Sequence, residues 1–432
     1  MDKLTVAFNG IEVGTLTRHG SGAMEFHYNP DWLTRQGARA ISLSLPLSEK
    51  IYRGVQVYNF FDNLLPDNEA IRARIQARFR LASKQPFDLL ASIGRDCIGA
   101  IQLYPENSVI LPINQITAEP LEEAEIASLL MGYKLAPQGM AVETDDFRIS
   151  LAGAQEKTAL LWYREQWHRP QGSTPTSHII KLPIGHLAQN NIDLSESSEN
   201  EWLCLQIAKA FGFPVANAEL ARFGEQNTLV VERFDRRWSK DGSWLMRLPQ
   251  EDFCQALGIA PALKYESDGG PGIADGMKLL LGSQQANQDR ETFFRSQILF
   301  WLLAAIDGHA KNFSLFIETG SAYRMTPLYD IISAYPLMAA GSIPAKRARM
   351  AMAVTGKNRH FHWATIQPRH FESTAQKAGY SQDKAAELMA DFKAGADAVL
   401  TKVSGSLPAN FPAHISDPIF DGIRRQTNKL PG

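Results

Sequence analysis

An aspartate and an asparagine five positions apart, Asp307 and Asn312, lie in the run Ile306-Asp307-Gly308-His309-Ala310-Lys311-Asn312, after an apolar stretch and before the strand-like Phe313 to Ile317. On a loop at the end of a buried helix, such a pair can do two jobs at one point. The carboxylate can accept the proton of an attacking hydroxyl, and the amide oxygen can enter the shell of a hard divalent cation. The plainer use of the same residues is a polar turn, with Asp and Gly there for backbone reasons. Eighteen residues further on, Tyr329-Asp330-Ile331 follows Thr326-Pro327-Leu328, so a carboxylate stands among apolar neighbours. A buried aspartate is costly unless it is paired or holds a metal. Asp330 is therefore a candidate second cation ligand, the alternative being a capping or turn aspartate.

Upstream, Ser150-Leu151-Ala152-Gly153-Ala154-Gln155-Glu156-Lys157 offers small residues whose backbone amides can approach an anion, as a phosphate cradle requires. It follows neither of the common glycine-rich phosphate motifs. In His178-Ile179-Ile180-Lys181 a lysine ends an apolar strand, where an ammonium needs a phosphate or carboxylate opposite it. Glu201 is a candidate for that carboxylate, although Ser198-Glu199-Asn200-Glu201 reads equally well as a helix capping box. Between these blocks and the catalytic candidates lies Val230-Val231-Glu232-Arg233-Phe234-Asp235-Arg236-Arg237-Trp238. A strand leaving its sheet here would offer backbone groups to an adenine edge, with Phe234 flanking the ring; a charged hairpin edge is the alternative. Gln250 to Phe253 and the glycine-rich Asp268 to Gly272 are further candidates to which the chemistry assigns no role.

These residues need elements to hold them. Alternating residues 3 to 8 and 11 to 16 flank Asn9-Gly10, the dipeptide that type I′ hairpins favour, so the chain is expected to open on a small sheet. A helix is predicted after Pro66-Asp67, with Ile71, Ile75 and Phe79 on one face. Strands are predicted at Thr158 to Trp162, His178 to Leu182 and Asn227 to Val231, around a helix from Ser198 to Phe211 that Gly212 ends. From about residue 250 the pattern turns helical, notably Glu291 to Ile306 and Asp383 to Val403, and the proline-rich tail after Ser406 is expected to wrap the surface. The division this suggests is an α+β unit over 1–105, a β-rich lobe over 106–237 and a helical lobe over 238–432.

Composition narrows the class. The 432 residues are 44% apolar and 21% charged, with a net charge of −2, so no global field would hold the chain on nucleic acid or an anionic membrane. A basic cluster, Lys346, Arg347, Arg349, Lys357 and Arg359, is a local patch suited to DNA phosphates, or else a solvated loop. Cys97, Cys204 and Cys254 lack metal or redox spacing and read as reduced core residues. No apolar run is long enough to span a bilayer and the start, MDKLTVAFNG, carries no apolar signal segment, so a cytoplasmic enzyme without a membrane partner is expected.

Taken in order, Phe147 to Lys157, His178 to Pro183, Val231 to Arg237, Leu248 to Asp252, Lys264 to Gly272, Asp307 to Asn312 and Tyr329 to Ser333 resemble the HipA family of kinase toxins, as does Phe60-Phe61-Asp62-Asn63-Leu64-Leu65-Pro66-Asp67. The resemblance spans nearly the whole chain. It implies an α+β fold in which an N-terminal α/β domain precedes a two-lobed protein-kinase-like domain, β-rich then mainly helical. It implies ATP and Mg²⁺ as cofactors, Asp307 as catalytic base, and Asn312 and Asp330 as Mg²⁺ ligands. Lys181 would contact phosphate, Glu232 and Phe234 would hold adenine through their backbone, and Ala152, Gly153, Ala154, Gln155, Glu156, Lys157, His309, Lys311 and Tyr329 would lie about the nucleotide. The resemblance further implies inactivation by autophosphorylation of Ser150, and a HipB-like helix-turn-helix antitoxin dimer through which the toxin sits on operator DNA. Its implied substrate is a protein of the translation machinery, glutamyl-tRNA synthetase foremost. The same side chains would serve a small-molecule or lipid kinase, and a non-catalytic co-repressor is the third reading.

Overall fold

The structure is a computed structural model that describes residues 1–135, 150–153, 155–187 and 192–431. The chain divides into two compact units, Met1–Leu182 with Ala221–Ala262 and Ser314–Tyr323, and Pro183–Leu220 with Leu263–Phe313 and Arg324–Gly432.

The first unit opens on the hairpin of Asp2–Phe8 and Ile11–Arg18, which turns through Asn9 and Gly10 with φ of 46° and 73°. Both angles are positive, as a type I′ turn requires. Met24–Tyr28, Tyr52–Arg53 and Ile101–Pro105 complete a five-stranded sheet, the last pairing with Asp2–Phe8. Helices Val55–Asp62 and Pro86–Ile93 share its core, where Phe60, Phe61, Leu89 and Leu90 meet Val6, Leu16 and Phe26. The helix after Pro66-Asp67 runs Glu69–Arg78. The Asn68 side chain caps it by accepting from the Ala70 N–H at 2.8 Å, and Ile75 and Phe79 turn to the core. A second sheet takes the order Ala218–Phe223, Gln226–Glu232, His178–Lys181, Lys157–Tyr163, Gln166–Pro170 and Ala118–Pro120. Helix Glu123–Leu135 backs it, setting Ile126 and Leu130 against Leu160, Ile180 and Val230.

A short ladder joins Gln250–Asp252 to Ser314–Ile317, with Glu251 opposite Leu315. Glu251 is fully buried. Its Oε1 accepts the Leu43 N–H at 2.8 Å, while Oε2 has no hydrogen-bond partner among the described residues, and burial pushes the carboxyl up to about 8.

The second unit is mainly helical. Ala286–Leu302 buries every residue from Ile298 to Leu302, its final turn being apolar all round. Gln382–Ser404, capped by Ser381, buries Leu388, Met389, Phe392, Ala396, Leu400 and Val403 along one stripe. Two expectations change here. The tail after Ser406 does not simply wrap the surface: Ala413–Thr427 is a helix whose Ile415, Ile419 and Ile423, at spacing four, are buried with Phe420. The capping box at Ser198 is absent, because the helix runs Ser197–Ala210 with Glu196 at its N-cap and no side-chain cap bond. The Ser197 hydroxyl instead accepts the Ile184 N–H at 2.9 Å.

Candidate functional site

Helix Ala286–Leu302 gives way at Leu303, and Ala304, with φ of 49°, turns the chain out of the helical course. The run from Asp307 to Asn312 follows at once. Ala351 N–H donates to the Ile306 carbonyl at 2.9 Å, and Ala310 N–H to that of Lys264 at 3.2 Å. Gly308 sits so close to the buried Phe300 ring that a Cβ there would stand 2.4 Å from it. The turn is thus pinned to the helix on which it ends.

Asn312 draws the candidate residues of this unit together. Its amide nitrogen donates to the Asp307 carbonyl at 3.0 Å and, more weakly, to the Asp330 carbonyl at 3.4 Å. That leaves the amide oxygen on the side away from both carbonyls, the orientation a cation ligand needs. Asp330 holds φ of 59°, a left-handed conformation that aspartate tolerates better than most residues but that still costs of order 1 kcal/mol. Its neighbours are fixed on both sides. The Tyr329 hydroxyl donates to the Lys311 carbonyl at 2.8 Å, and Ser333 and Asn200 exchange two hydrogen bonds at 2.8 and 2.9 Å. Asp307 is exposed, Asp330 is half-buried, and His309, Lys311 and Asn312 are buried.

Sequence reasoning left Tyr265 without a role. Its hydroxyl donates to Asp307 Oδ1 at 2.7 Å, and its ring meets His309 edge-on at 5.1 Å. It falls in the Lys264 to Gly272 run, yet no local spacing ties it to a carboxylate forty-two positions away.

In the first unit, Ser150 is fully buried. Its hydroxyl donates to the Leu64 carbonyl at 2.7 Å and its N–H to the Asp96 carbonyl at 3.1 Å. Gly153 accepts the Asp67 N–H at 3.1 Å. Its φ of 106° favours glycine, and the Lys157 ammonium lies 2.6 Å from where a Cβ would be. Ala152 is half-buried beside it. Gln155 donates to the Leu182 carbonyl at 2.6 Å, and Glu156 is ion-paired with Arg74. Ala154, and Phe147 to Ile149, lie outside the described residues. Lys181 is buried, opposite Lys157 in one ladder and Leu229 in the other. It belongs to the first unit, and Glu201, also buried, to the second. Glu232 ends its strand exposed, and Phe234 sets its ring edge-on to Phe316 at 5.9 Å. The basic side chains between 346 and 359 are exposed, Arg359 lying 3.5 Å from Glu266.

The family profile described as the HipA-like C-terminal domain matches residues 149–400, and that of the HipA N-terminal domain matches residues 4–104. The chain belongs to the HipA family. It is 33% identical over 339 residues to the putative kinase Y4mE of Sinorhizobium fredii, covering 77% of this chain and 78% of the relative. It is 30% identical over 318 residues to the serine/threonine-protein kinase toxin HipA of Shewanella oneidensis, covering 71% and 69%. The fold agrees: Shewanella oneidensis HipA, solved with HipB and its operator DNA, aligns with a TM-score of 0.80 over 98% of this chain and 97% of that one, at 23% identity. Within the HipA match, Ser150, Lys181, Asp307, Asn312 and Asp330 all fall in the C-terminal segment, while Leu64 and Asp96 fall in the N-terminal one. No helix among the described residues is long and apolar enough to cross a membrane.

Proposed function

We propose that this HipA-family chain is a serine/threonine protein kinase toxin that acts in the cytoplasm and moves the γ-phosphate of Mg²⁺-bound ATP to a protein hydroxyl. The observation that carries the reading is the junction at Asn312, whose side chain binds the backbone of both Asp307 and Asp330. The Asp330 carboxylate and the Asn312 amide oxygen suit Mg²⁺, which takes oxygen ligands and completes its shell with water and phosphate. The bound ion would neutralise charge on the β- and γ-phosphate oxygens.

Each residue then has a task. Asp307, exposed and oriented by Tyr265, takes the acceptor's hydroxyl proton as the new O–P bond forms and the bond to the β-phosphate bridge oxygen breaks, leaving ADP. Asn312 and Asp330 hold the cation, and Lys181 pairs with phosphate. The amides of the loop from Ala152 to Lys157 cradle the phosphates, and the backbone at Glu232 and Phe234 holds adenine. His309, Lys311 and Tyr329 border the nucleotide.

Autophosphorylation at Ser150 would switch the enzyme off. Its hydroxyl and N–H now face two carbonyl oxygens, of Leu64 and Asp96. A phosphoserine adds about −1.5 to −2 charges and only acceptors, so the seat would repel it and the loop would leave. The acceptor is a protein of the translation machinery, with glutamyl-tRNA synthetase the first to try. A HipB-like helix-turn-helix dimer neutralises the toxin and carries it to operator DNA, as HipB and DNA accompany HipA of Shewanella oneidensis.

Purified chain incubated with Mg²⁺ and γ-labelled ATP tests this. Label on Ser150 and on a protein acceptor, lost on adding chelator, is expected. Label on a metabolite or lipid alone, or on nothing, overturns it.

A further inference from the structure

Both nucleotide-holding segments of the first unit lead back to one side chain that belongs to neither. Asp96 lies between helix Pro86–Ile93 and strand Ile101–Pro105, buried, within the match to the HipA N-terminal domain. Its Oδ1 accepts Arg236 at 2.8 Å and Arg247 at 2.9 Å. Its Oδ2 accepts the N–H and hydroxyl of Thr176 at 3.0 and 2.8 Å, and Arg233 at 3.3 Å. Its main-chain oxygen takes the Ser150 N–H at 3.1 Å. The next residues extend the grip: Cys97 carbonyl accepts Arg233 at 2.8 Å and Arg236 at 3.0 Å, and Gly99 N–H donates to Asp235 at 2.7 Å.

Three arginines and two aspartates are buried here, leaving one positive charge in excess. Burial alone would push the Asp96 carboxyl up, but Arg236, Arg247 and Arg233 hold it well below the usual range. Burial, and Arg233 beside it, lower Arg236 to about 10. Arg236 Nε and Arg247 Nη1 are buried without hydrogen-bond partners among the described residues. A buried ionic cluster is seldom more stabilising than apolar packing of the same volume, so stability alone is a poor reason for it. Direction is a better one. Arg233, Asp235 and Arg236 directly follow Glu232 and point inward, whereas Glu232 is exposed and Phe234 half-buried.

We infer that Asp96 is a positioning residue for the nucleotide. Its carboxylate sets the course of Arg233 to Arg236 behind the adenine-contacting backbone while its carbonyl seats the Ser150 loop, so the N-terminal domain tunes ATP affinity without touching ATP. This rests on the kinase reading above.

The test measures direct Mg·ATP binding, and KM and kcat for ATP, in the full chain and three variants. Asp96→Asn keeps the shape and removes the charge. Thr176→Val leaves every charge in place and removes one donor to Asp96 together with one acceptor for Arg233 Nη1. Phe26→Leu, in the N-terminal core, loses stability without removing a charge or a hydrogen bond from the Asp96 cluster. Expected are a rise of about tenfold in the Kd and KM of Asp96→Asn and about threefold in those of Thr176→Val, with kcat within about twofold, and no change in Phe26→Leu. If Asp96→Asn does not fold, Thr176→Val decides. Binding by Asp96→Asn and Thr176→Val equal to wild type, or an equal rise in Phe26→Leu, overturns the inference alone. A wild-type chain that binds no Mg·ATP ends the kinase reading, and this inference with it.

Discussion

The carboxylate of Asp96 receives five hydrogen bonds from three arginines and a threonine in a sealed interior, whereas that of Asp307 stands exposed and accepts the Tyr265 hydroxyl. Both aspartates follow a helix that packs into the core of its own unit. What separates them is the company each keeps. A carboxylate committed to several cations has no electron pair to offer an incoming proton, and its worth lies in where it puts its partners. One that is aimed by a single neutral donor remains a base. On the proposed function, the same side chain serves as a peg in one region and a tool in the other.

Substitutions should separate these uses, beginning with the largest effect. Asp307→Asn should reduce phosphate transfer about 10²- to 10⁴-fold while leaving the urea unfolding midpoint in place; a midpoint that falls along with activity would make Asp307 another structural carboxylate. Asp96→Asn should act instead on stability and ATP affinity, with kcat nearly unchanged. It strips a buried partner from three arginines and should cost about 3–5 kcal/mol of unfolding free energy, and a loss below about 1 kcal/mol would show that the cluster bears little load.

Glu251 sharpens the contrast, being a buried acid with no cation beside it and a carboxyl raised to about 8. A folded-state value above the unfolded one means stability that is full below about 4.5 and is lost as pH rises toward 8. The loss runs at roughly 1.4 kcal/mol per pH unit in that window. Glu251→Gln should therefore match wild type in melting temperature at pH 5 and exceed it at pH 8. Equal curves at both values would mean that Glu251 is charged and compensated. The smallest effect belongs to Tyr265→Phe. Losing one exposed hydrogen bond of about 1 kcal/mol should lower kcat about fivefold with little change in KM for ATP, and an unchanged kcat would remove Tyr265 from the orientation of Asp307.

Sequence made legible whatever is written locally. Asn9-Gly10 announced its turn, Ile75 and Phe79 announced their helix face, and the five-residue spacing of Asp307 and Asn312 foretold that they lie side by side. The α+β class and the HipA resemblance were readable for the same reason, as ordered blocks of motif. The Asp96 cluster was not, because its partners stand 80 to 151 positions away and each arginine looks, in sequence, like a surface charge. Residues 230 to 238 read as well for a charged hairpin edge as for a nucleotide-holding strand, yet Arg233, Asp235 and Arg236 are buried. The helix Ser197–Ala210 begins one residue before the expected cap, and the Ser197 hydroxyl accepts the Ile184 N–H, a partner thirteen positions upstream that no local spacing announces. Ala413–Thr427 was hidden by the prolines around it, although its isoleucines keep helical spacing.

The seating of Ser150 has a kinetic corollary. With no surface presented and its hydroxyl bonded to Leu64, the side chain can be reached by a phosphate donor only after the loop lifts away. If lifting and reseating outpace the chemistry, the speed of modification becomes the product of a small opening equilibrium and the intrinsic transfer rate. On the proposed autophosphorylation of Ser150, whatever holds the loop down would lengthen the interval before shut-off, so the tightness of this seat would act as a timer on the active enzyme.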